Sequence, residues 1–239
     1  ERLLGDGSQL GLRLEYKVQE QPNGIAEALI LGDDFIGNDN VSLILGDNIF
    51  YMGEKLRILQ SQLAATAKNK ANILTYHVPD PSRFGVVEFD NDFNVLSIEE
   101  KPQNPKSNYA SVGLYFYPND VAEKAKSLKP SARGELEITD LNNLYLKEGR
   151  LNALAMGRGN AWLDAGTHES LLDASNFVHM IEKRQGLKIA CLEEVAFRMG
   201  FITVEQLISI ISTIKLPHYQ AYLEKTIEDV NVYSENTYS

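Results

Sequence analysis

A short apolar run at residues 41–45 leads directly into Gly46 and Asp47, and this junction most constrains the fold of the chain. The run is uninterrupted and rich in β-favouring residues, as is typical of a strand buried on both faces of a parallel sheet. Gly46 permits a sharp turn or the close approach of a ligand. Asp47 is then predicted at the carboxyl end of a central strand, where open α/β sheets place their ligands. A polar turn that simply ends the strand explains this stretch equally well.

Strand-like and helix-like segments alternate along the first part of the chain, which favours a parallel sheet with helices on both faces. The pattern predicts strands at residues 12–18, 41–45 and 72–77, and helices at 25–35 and 54–68. Closely spaced strand-like runs at 84–89, 94–98 and 111–117 then indicate antiparallel strands added to that sheet. Further helices are predicted at 119–128, 136–147 and 170–185, and further strands at 151–156 and 161–163.

No segment has the composition of a linker, so residues 1–239 are predicted to form a single domain. Residues 192–239 are rich in helix-favouring side chains and are interrupted by Pro217. Because proline breaks a helix that runs into it from the preceding residues, this part is predicted to be a helical extension made of separate helices.

Composition excludes several classes of protein. The formal net charge of −10 disfavours partners such as nucleic acid or an anionic membrane surface. Cys191 is the only cysteine, so no intrachain disulfide can form, and a reducing compartment fits. No apolar run approaches the roughly 20 residues of a membrane-spanning helix, and no signal peptide is recognisable. We therefore predict a cytoplasmic protein.

Two aspartates follow strand-like runs, Asp47 after residues 41–46 and Asp164 after residues 161–163. If both strands end at the same edge of one sheet, their carboxylates are able to bind one Mg²⁺. The alternative for Asp164 is a cap on the helix that follows it.

Other polar segments have a structural and a functional interpretation side by side. The run from Glu99 to Pro102 is an ordinary charged turn, or it supplies Lys101 for a phosphate and a carboxylate for sugar hydroxyls. Gln19 is a solvated loop residue, or its amide reads a pyrimidine imide. The four histidines show no zinc-ligand spacing, and no GxSxG nucleophile motif is present.

Seven motifs of one known family occur in order along the chain. They are Gly5-Asp-Gly-Ser-Gln, Leu45-Gly-Asp-Asn-Ile-Phe, Arg83-Phe-Gly-Val-Val-Glu, Glu99-Glu-Lys-Pro, Lys106-Ser-Asn-Tyr-Ala, Ser131-Ala-Arg-Gly-Glu and Ala161-Trp-Leu-Asp. With these motifs the chain resembles the glucose-1-phosphate thymidylyltransferases of the short, tetrameric bacterial form. The resemblance implies an α/β fold, namely a Rossmann-like nucleotidyltransferase core with a mixed sheet and a helical C-terminal part.

The resemblance also implies an activity. In the family, dTTP and α-D-glucose 1-phosphate react with the help of Mg²⁺ to give dTDP-glucose and pyrophosphate, the first step of dTDP-rhamnose and other deoxysugar synthesis. It further implies a homotetramer. The same chemistry with UTP or another sugar 1-phosphate is an alternative, and so is a noncatalytic sugar-nucleotide-binding module.

Individual roles follow from the motif positions. The implied catalytic residues are Asp47, Lys101 and Asp164, of which the two aspartates match Mg²⁺ ligands. Nucleotide-binding positions are matched by Gln19, Gly24 and Asp47. Positions around glucose 1-phosphate are matched by Asn48, Gly85, Glu100, Lys101 and Ser111, although Ser111 stands where the family usually has valine. A second nucleotide site for feedback would involve Tyr51, Glu194 and Arg198.

One family element is missing from the printed sequence. The family begins with a glycine-rich Gly-x-Gly-Thr-Arg-Leu loop, which cradles the triphosphate after a central first strand. Without a central strand, backbone N–H and C=O groups of the neighbouring strands lack hydrogen-bond partners, and apolar faces beside it are left uncovered. We therefore expect the missing N-terminal segment to be present as a separate piece, and we do not expect these 239 residues to fold and work alone.

Overall fold

The computed structural model describes residues 1–53 and 55–236, and it describes side chains except at 54–57, 60 and 230–239. The chain divides into two compact units. One, here the core unit, is Lys17–Asn176. The other, here the terminal unit, combines Glu1–Tyr16 with the chain from Phe177 onward. The predicted single domain with a helical extension stays a prediction.

The elements largely follow the predicted pattern. The strands are β1 (Val41–Ile44), β2 (Asn48–Tyr51), β3 (Ala71–His77), β4 (Gly85–Phe89), β5 (Val95–Glu100), β6 (Tyr109–Tyr117), β7 (Leu151–Met156) and β8 (Ala161–Asp164). The helices are α1 (Glu27–Leu31), α2 (Asp33–Ile36), α3 (Lys55–Thr66), α4 (Val121–Lys126), α5 (Ile138–Lys147), α6 (His168–Gln185), α7 (Leu192–Arg198), α8 (Val204–Thr213) and α9 (Pro217–Asn236). A 3-10 turn spans Ser8–Leu10.

The main sheet of the core unit is mixed. Its strand order is β5-β4-β6-β3-β7, and β1 pairs with the second half of β6. β3 and β7 run parallel, whereas β6 is antiparallel to β1, β3 and β4. Strand alternation along β6 points Tyr115 and Tyr117 to one core cluster and Leu114 and Phe116 to another. Helices α1, α2, α4 and α5 contribute buried residues to the first cluster and α3 packs against the second, so the α/β fold with a mixed sheet is confirmed.

Three strand predictions need correction. The segment 12–18 forms no strand, because no described strand lies beside it to complete a ladder. β1 is not buried on both faces. Ser42 and Ile44 are exposed, since β1 pairs with β6 alone among the described strands. Asp164 does not end a strand of the main sheet, because β8 pairs with β2 in a separate two-stranded sheet.

The terminal unit is helical, with its own small core. Leu10, from the amino-terminal segment, is buried in the same cluster as Cys191, Leu207 and Leu223. Local signals begin its helices: Thr203 caps α8 through a capping box with Gln206, and Pro217 is the first residue of α9. No described helix is long and apolar enough to cross a membrane.

Candidate active site

A cavity of about 270 Å³ in the core unit brings together most of the residues implied for catalysis and sugar-phosphate binding. The loop after β1 and the loop before β4 form part of its wall, and β5, β6, β8 and the start of α5 form much of the rest. The implied residues that line it are Asp47, Asn48, Gly85, Glu100, Lys101, Ser111 and Asp164. Seven positions that are scattered over 118 residues of sequence therefore share one surface.

Asp47 and Asp164 are brought together by strand pairing. The register of β2 and β8 places Asn48 opposite Asp164, and the Ala165 N–H donates to the Asp47 carbonyl at 2.7 Å. A Cβ on Gly166 would lie 3.5 Å from Asp164 Oδ2 and 3.6 Å from Asp47 Oδ2, so these two oxygens are no farther apart than the sum of those distances. One oxygen of each carboxylate thus lies within 3.6 Å of the same position beside Gly166.

The pair fits a magnesium ion that arrives with a nucleotide. Within the described residues, no three His, Cys, Asp or Glu side chains gather into a metal-binding group. Mg²⁺ in nucleotide enzymes is usually held by one or two carboxylates, with phosphate and water oxygens completing its shell. Two converging aspartates are therefore a sufficient donor set from the protein.

Glu100 is oriented by a packed arrangement around Gly85. The Thr139 hydroxyl donates to Glu100 Oε2 at 2.5 Å, and β4–β5 pairing sets Gly85 opposite Glu100. A Cβ on Gly85 would lie 2.9 Å from Thr139 Oγ1 and 3.5 Å from Glu100 Oε2. Glycine is therefore required here so that the hydroxyl can reach the carboxylate.

Two cationic side chains, Lys101 and Arg133, line the cavity. Lys101 has a left-handed backbone with φ 42°, and its Nζ lies 3.9 Å from Glu100 Oε1. Arg133 donates to both carboxylate oxygens of the buried Glu137 at 3.0 Å, and its guanidinium lies 4.0 Å from Glu100. Hydrogen bonds to Glu137 raise the pKa of Arg133, so the side chain remains cationic.

Ser111 has its hydroxyl oxygen buried in the cavity wall, where it makes no well-formed hydrogen bond to the described chain. Burial raises the pKa of the neighbouring Tyr115 to about 12, and Ser111 lies near enough to lower it slightly. Since buried polar groups are normally paired, Tyr115 is the partner within reach that this hydroxyl influences. The serine that replaces the family's valine thus adds a polar group to this wall.

The implied nucleotide-binding residues Gln19 and Gly24 do not line the cavity. The Gln19 amide donates to the Gly24 carbonyl at 3.1 Å and to Glu27 at 2.5 Å. Gly24 has φ 104°, and a Cβ there would lie 2.4 Å from the Leu136 carbonyl oxygen. Its neighbour Ile25 does line the cavity, so this loop borders the site.

The implied regulatory residues are divided between the units. Tyr51 belongs to the core unit, whereas Glu194 and Arg198 belong to the terminal unit. Arg198 donates to Glu194 at 2.7 Å along α7, and the Tyr222 hydroxyl donates to the other Glu194 oxygen. A regulatory role for the three residues stays a prediction.

Several cavity residues were assigned no role from the sequence, among them Tyr115, Arg133 and Trp162. Arg133 lies in the Ser131-Ala-Arg-Gly-Glu motif and forms ion pairs with Glu135 and Glu137. Its position just before α5 was the available signal. Tyr115 and Trp162 carry no such signal, because aromatic residues within strands are more often core residues.

The chain is similar to known proteins in sequence and in fold. The Nucleotidyl transferase family matches residues 1–180. Proteins named glucose-1-phosphate thymidylyltransferase from Neisseria meningitidis and Mycobacterium tuberculosis are 52% and 50% identical to this chain, over 95% of it and 78% of each relative. A crystal structure of a candidate glucose-1-phosphate thymidylyltransferase from Bacillus anthracis, in complex with a sucrose, is similar with a TM-score of 0.66. It is 46% identical and covers 74% of this chain and 69% of that one.

Proposed function

The chain belongs to the glucose-1-phosphate thymidylyltransferase family of nucleotidyl transferases, and we propose that it uses dTTP and α-D-glucose 1-phosphate as its substrates. An oxygen of the sugar phosphate attacks the α-phosphorus of dTTP. The bond from that phosphorus to the bridging oxygen breaks, and its electron pair leaves with pyrophosphate. The products are dTDP-glucose and pyrophosphate, which would begin dTDP-rhamnose or other deoxysugar synthesis.

The convergence of Asp47, Asp164, Glu100 and Lys101 on one cavity carries the proposal. A phosphate monoester is already largely ionised near pH 7, so its oxygen needs no general base. The work left to the protein is positioning and the neutralisation of charge. A cavity lined by two cationic side chains and a carboxylate pair suits that work.

Each residue has a proposed task in this reaction. Lys101 would hold the sugar phosphate close to the like-charged triphosphate. Glu100, kept in place by Thr139, would accept hydrogen bonds from sugar hydroxyls. Asp47 and Asp164 would hold Mg²⁺, which offsets phosphate charge when bound. The lack of a Cβ on Gly85 lets the substrate approach the floor formed by Glu100 and Thr139.

The choice of nucleotide is proposed from the loop around Gln19. Its amide carries donors and an acceptor, which match an imide edge that thymine shares with uracil. To donate to a base, an N–H of this amide would have to leave the Gly24 carbonyl or Glu27. Preference for dTTP over UTP therefore depends on contacts to the thymine methyl group and to the deoxyribose. A homotetramer, a cytoplasmic location and a separate N-terminal piece stay predictions.

A pyrophosphate-release assay tests the proposal. The full-length protein is incubated with Mg²⁺ and each pairing of dTTP, dUTP or UTP with glucose 1-phosphate or galactose 1-phosphate. We expect the highest kcat/KM for dTTP with glucose 1-phosphate. Faster release with UTP or another sugar would replace the substrate assignment, whereas ligand binding without release under any pairing would favour a noncatalytic sugar-nucleotide-binding module.

A further inference from the structure

The side chain of Asn48 ties three parts of the core unit together. Its Oδ1 accepts from the Trp162 indole N–H at 2.6 Å and from the Gly113 backbone N–H at 3.1 Å. Its Nδ2 donates to Asp47 Oδ1 at 2.6 Å. One half-buried amide thus connects β6, β8 and the loop that carries Asp47.

These contacts determine which way the amide points. The indole N–H and the backbone N–H of Gly113 are donors only, so the atom that faces both must be the carbonyl oxygen. A flipped amide would set N–H groups against N–H groups. The amide nitrogen is therefore directed at Asp47, and three of the four hydrogen-bonding positions of Asn48 are filled from within the protein.

The surrounding backbone leaves space for this arrangement. A Cβ on Gly113 would lie 2.7 to 2.9 Å from the amide atoms of Asn48, closer than real Cβ atoms come. The Gly113 carbonyl also accepts from the Leu45 N–H at 2.9 Å, which extends the β1–β6 pairing toward Asp47. Glycine in the middle of β6 therefore admits the asparagine side chain.

The arrangement gives the two carboxylate oxygens of Asp47 different surroundings. Oδ1 is occupied by the Asn48 amide, whereas Oδ2 faces the same point as Asp164 Oδ2, beside Gly166. We propose that Asn48 is a positioning residue that holds Asp47 Oδ1 and so presents Oδ2 as the cation-binding oxygen. This inference rests on the proposed function, since it concerns the carboxylates that would hold Mg²⁺. It differs from the implied role of Asn48 as a sugar-phosphate ligand.

A direct Mn²⁺ titration without substrates, monitored by water-proton relaxation, tests the inference independently of turnover. We expect Asn48→Ala to weaken Mn²⁺ binding about tenfold, as for the loss of one hydrogen bond to a charged group. Trp162→Phe keeps an aromatic ring but removes one donor to Oδ1, and we expect a smaller loss of about threefold. Asn160→Ala is the matched control, because the Asn160 side chain bonds only to the nearby Gly157 carbonyl among the residues that the structure describes.

The KM for glucose 1-phosphate, measured at saturating Mn²⁺, separates positioning from sugar binding. We expect it to stay within about twofold in Asn48→Ala. Unchanged Mn²⁺ affinity in both variants, or a KM for the sugar phosphate that rises while Mn²⁺ affinity is kept, would overturn the inference. If the unmodified protein binds Mn²⁺ but releases no pyrophosphate, the proposed function is wrong. The role of Asn48 is then still decided by the Mn²⁺ affinities of the variants.

Discussion

Replacing Gly85 with alanine probes the packed floor of the cavity. In β4 the residue has a backbone conformation that alanine also adopts, so the effect comes from the added methyl group alone. That methyl would lie 2.9 Å from Thr139 Oγ1, whereas its distances to Glu100 Oε2 and Ser111 Cβ, 3.5 and 3.6 Å, are ordinary contacts. Thr139 must move, and its 2.5 Å hydrogen bond to Glu100 is broken.

The size of the effect follows from that bond. A hydrogen bond to a charged group contributes about 1.5–3 kcal/mol, and each 1.4 kcal/mol changes an equilibrium or rate roughly tenfold. We expect kcat/KM for glucose 1-phosphate to fall about 10- to 100-fold. The free energy of unfolding should fall by about 1–3 kcal/mol, as for other overpacked sites.

A double-mutant cycle identifies the cause. Thr139→Ala removes both the hydrogen bond and the atom that the new methyl meets. Gly85→Ala should therefore cost little further activity in that background, and the double variant should resemble Thr139→Ala in the pyrophosphate assay. Losses that multiply would refute the reasoning. Gly157→Ala is the control, since a Cβ there meets nothing within 4 Å, and it should be nearly neutral.

Three further changes test other parts of the structure. Asp47→Asn and Asp164→Asn should each lower kcat roughly 100-fold or more but change the free energy of unfolding by less than about 1 kcal/mol; full activity with Mg²⁺ would contradict the metal assignment. Burial would raise the pKa of Asp120, but hydrogen bonds from Arg150 and Tyr145 outweigh it and lower that pKa. Ionised Asp120 thus stabilises the fold above about pH 3.9, and this contribution is lost as the pH falls through the lowered pKa. In acid titrations the free energy of unfolding of Asp120→Asn should therefore fall less below about pH 4 than that of the unmodified protein. Equal acid sensitivity of the two proteins would argue against this role of Asp120. Leu10→Ala should lower the free energy of unfolding by about 2–5 kcal/mol in denaturant melts; a loss below about 1 kcal/mol would show that Leu10 does not anchor the terminal unit.

Local patterns predicted most elements of the fold. The bounds of β7 match the predicted segment, and β3, α3 and α5 differ from theirs by one to three residues. These segments have clear periodicity and flanking breakers. The segment 12–18 has the alternation of a strand but lies in no ladder. A strand depends on a partner that is distant in sequence, so alternation alone does not decide its fate.

The candidate site was predictable in its residues but not in its construction. Asp47 and Asp164 were paired through motif resemblance, and the structure places their oxygens together. The antiparallel register of β2 and β8, which does this, joins positions 116 residues apart and has no local signature. The same holds for Arg133, because its place in the cavity depends on the buried partner Glu137 rather than on its neighbours in sequence.

The terminal unit has a consequence for the order of folding. Its core joins Leu10 to Leu207 and Leu223, which are separated from it by the whole core unit. During synthesis the residues of the core unit emerge before those of α8 and α9. The amino-terminal segment can pack into its core only after α8 and α9 have emerged. Closing so long a loop costs entropy and slows this step. Until then Leu10 is not buried in this core. Apolar side chains that stay exposed on a nascent chain favour misassembly.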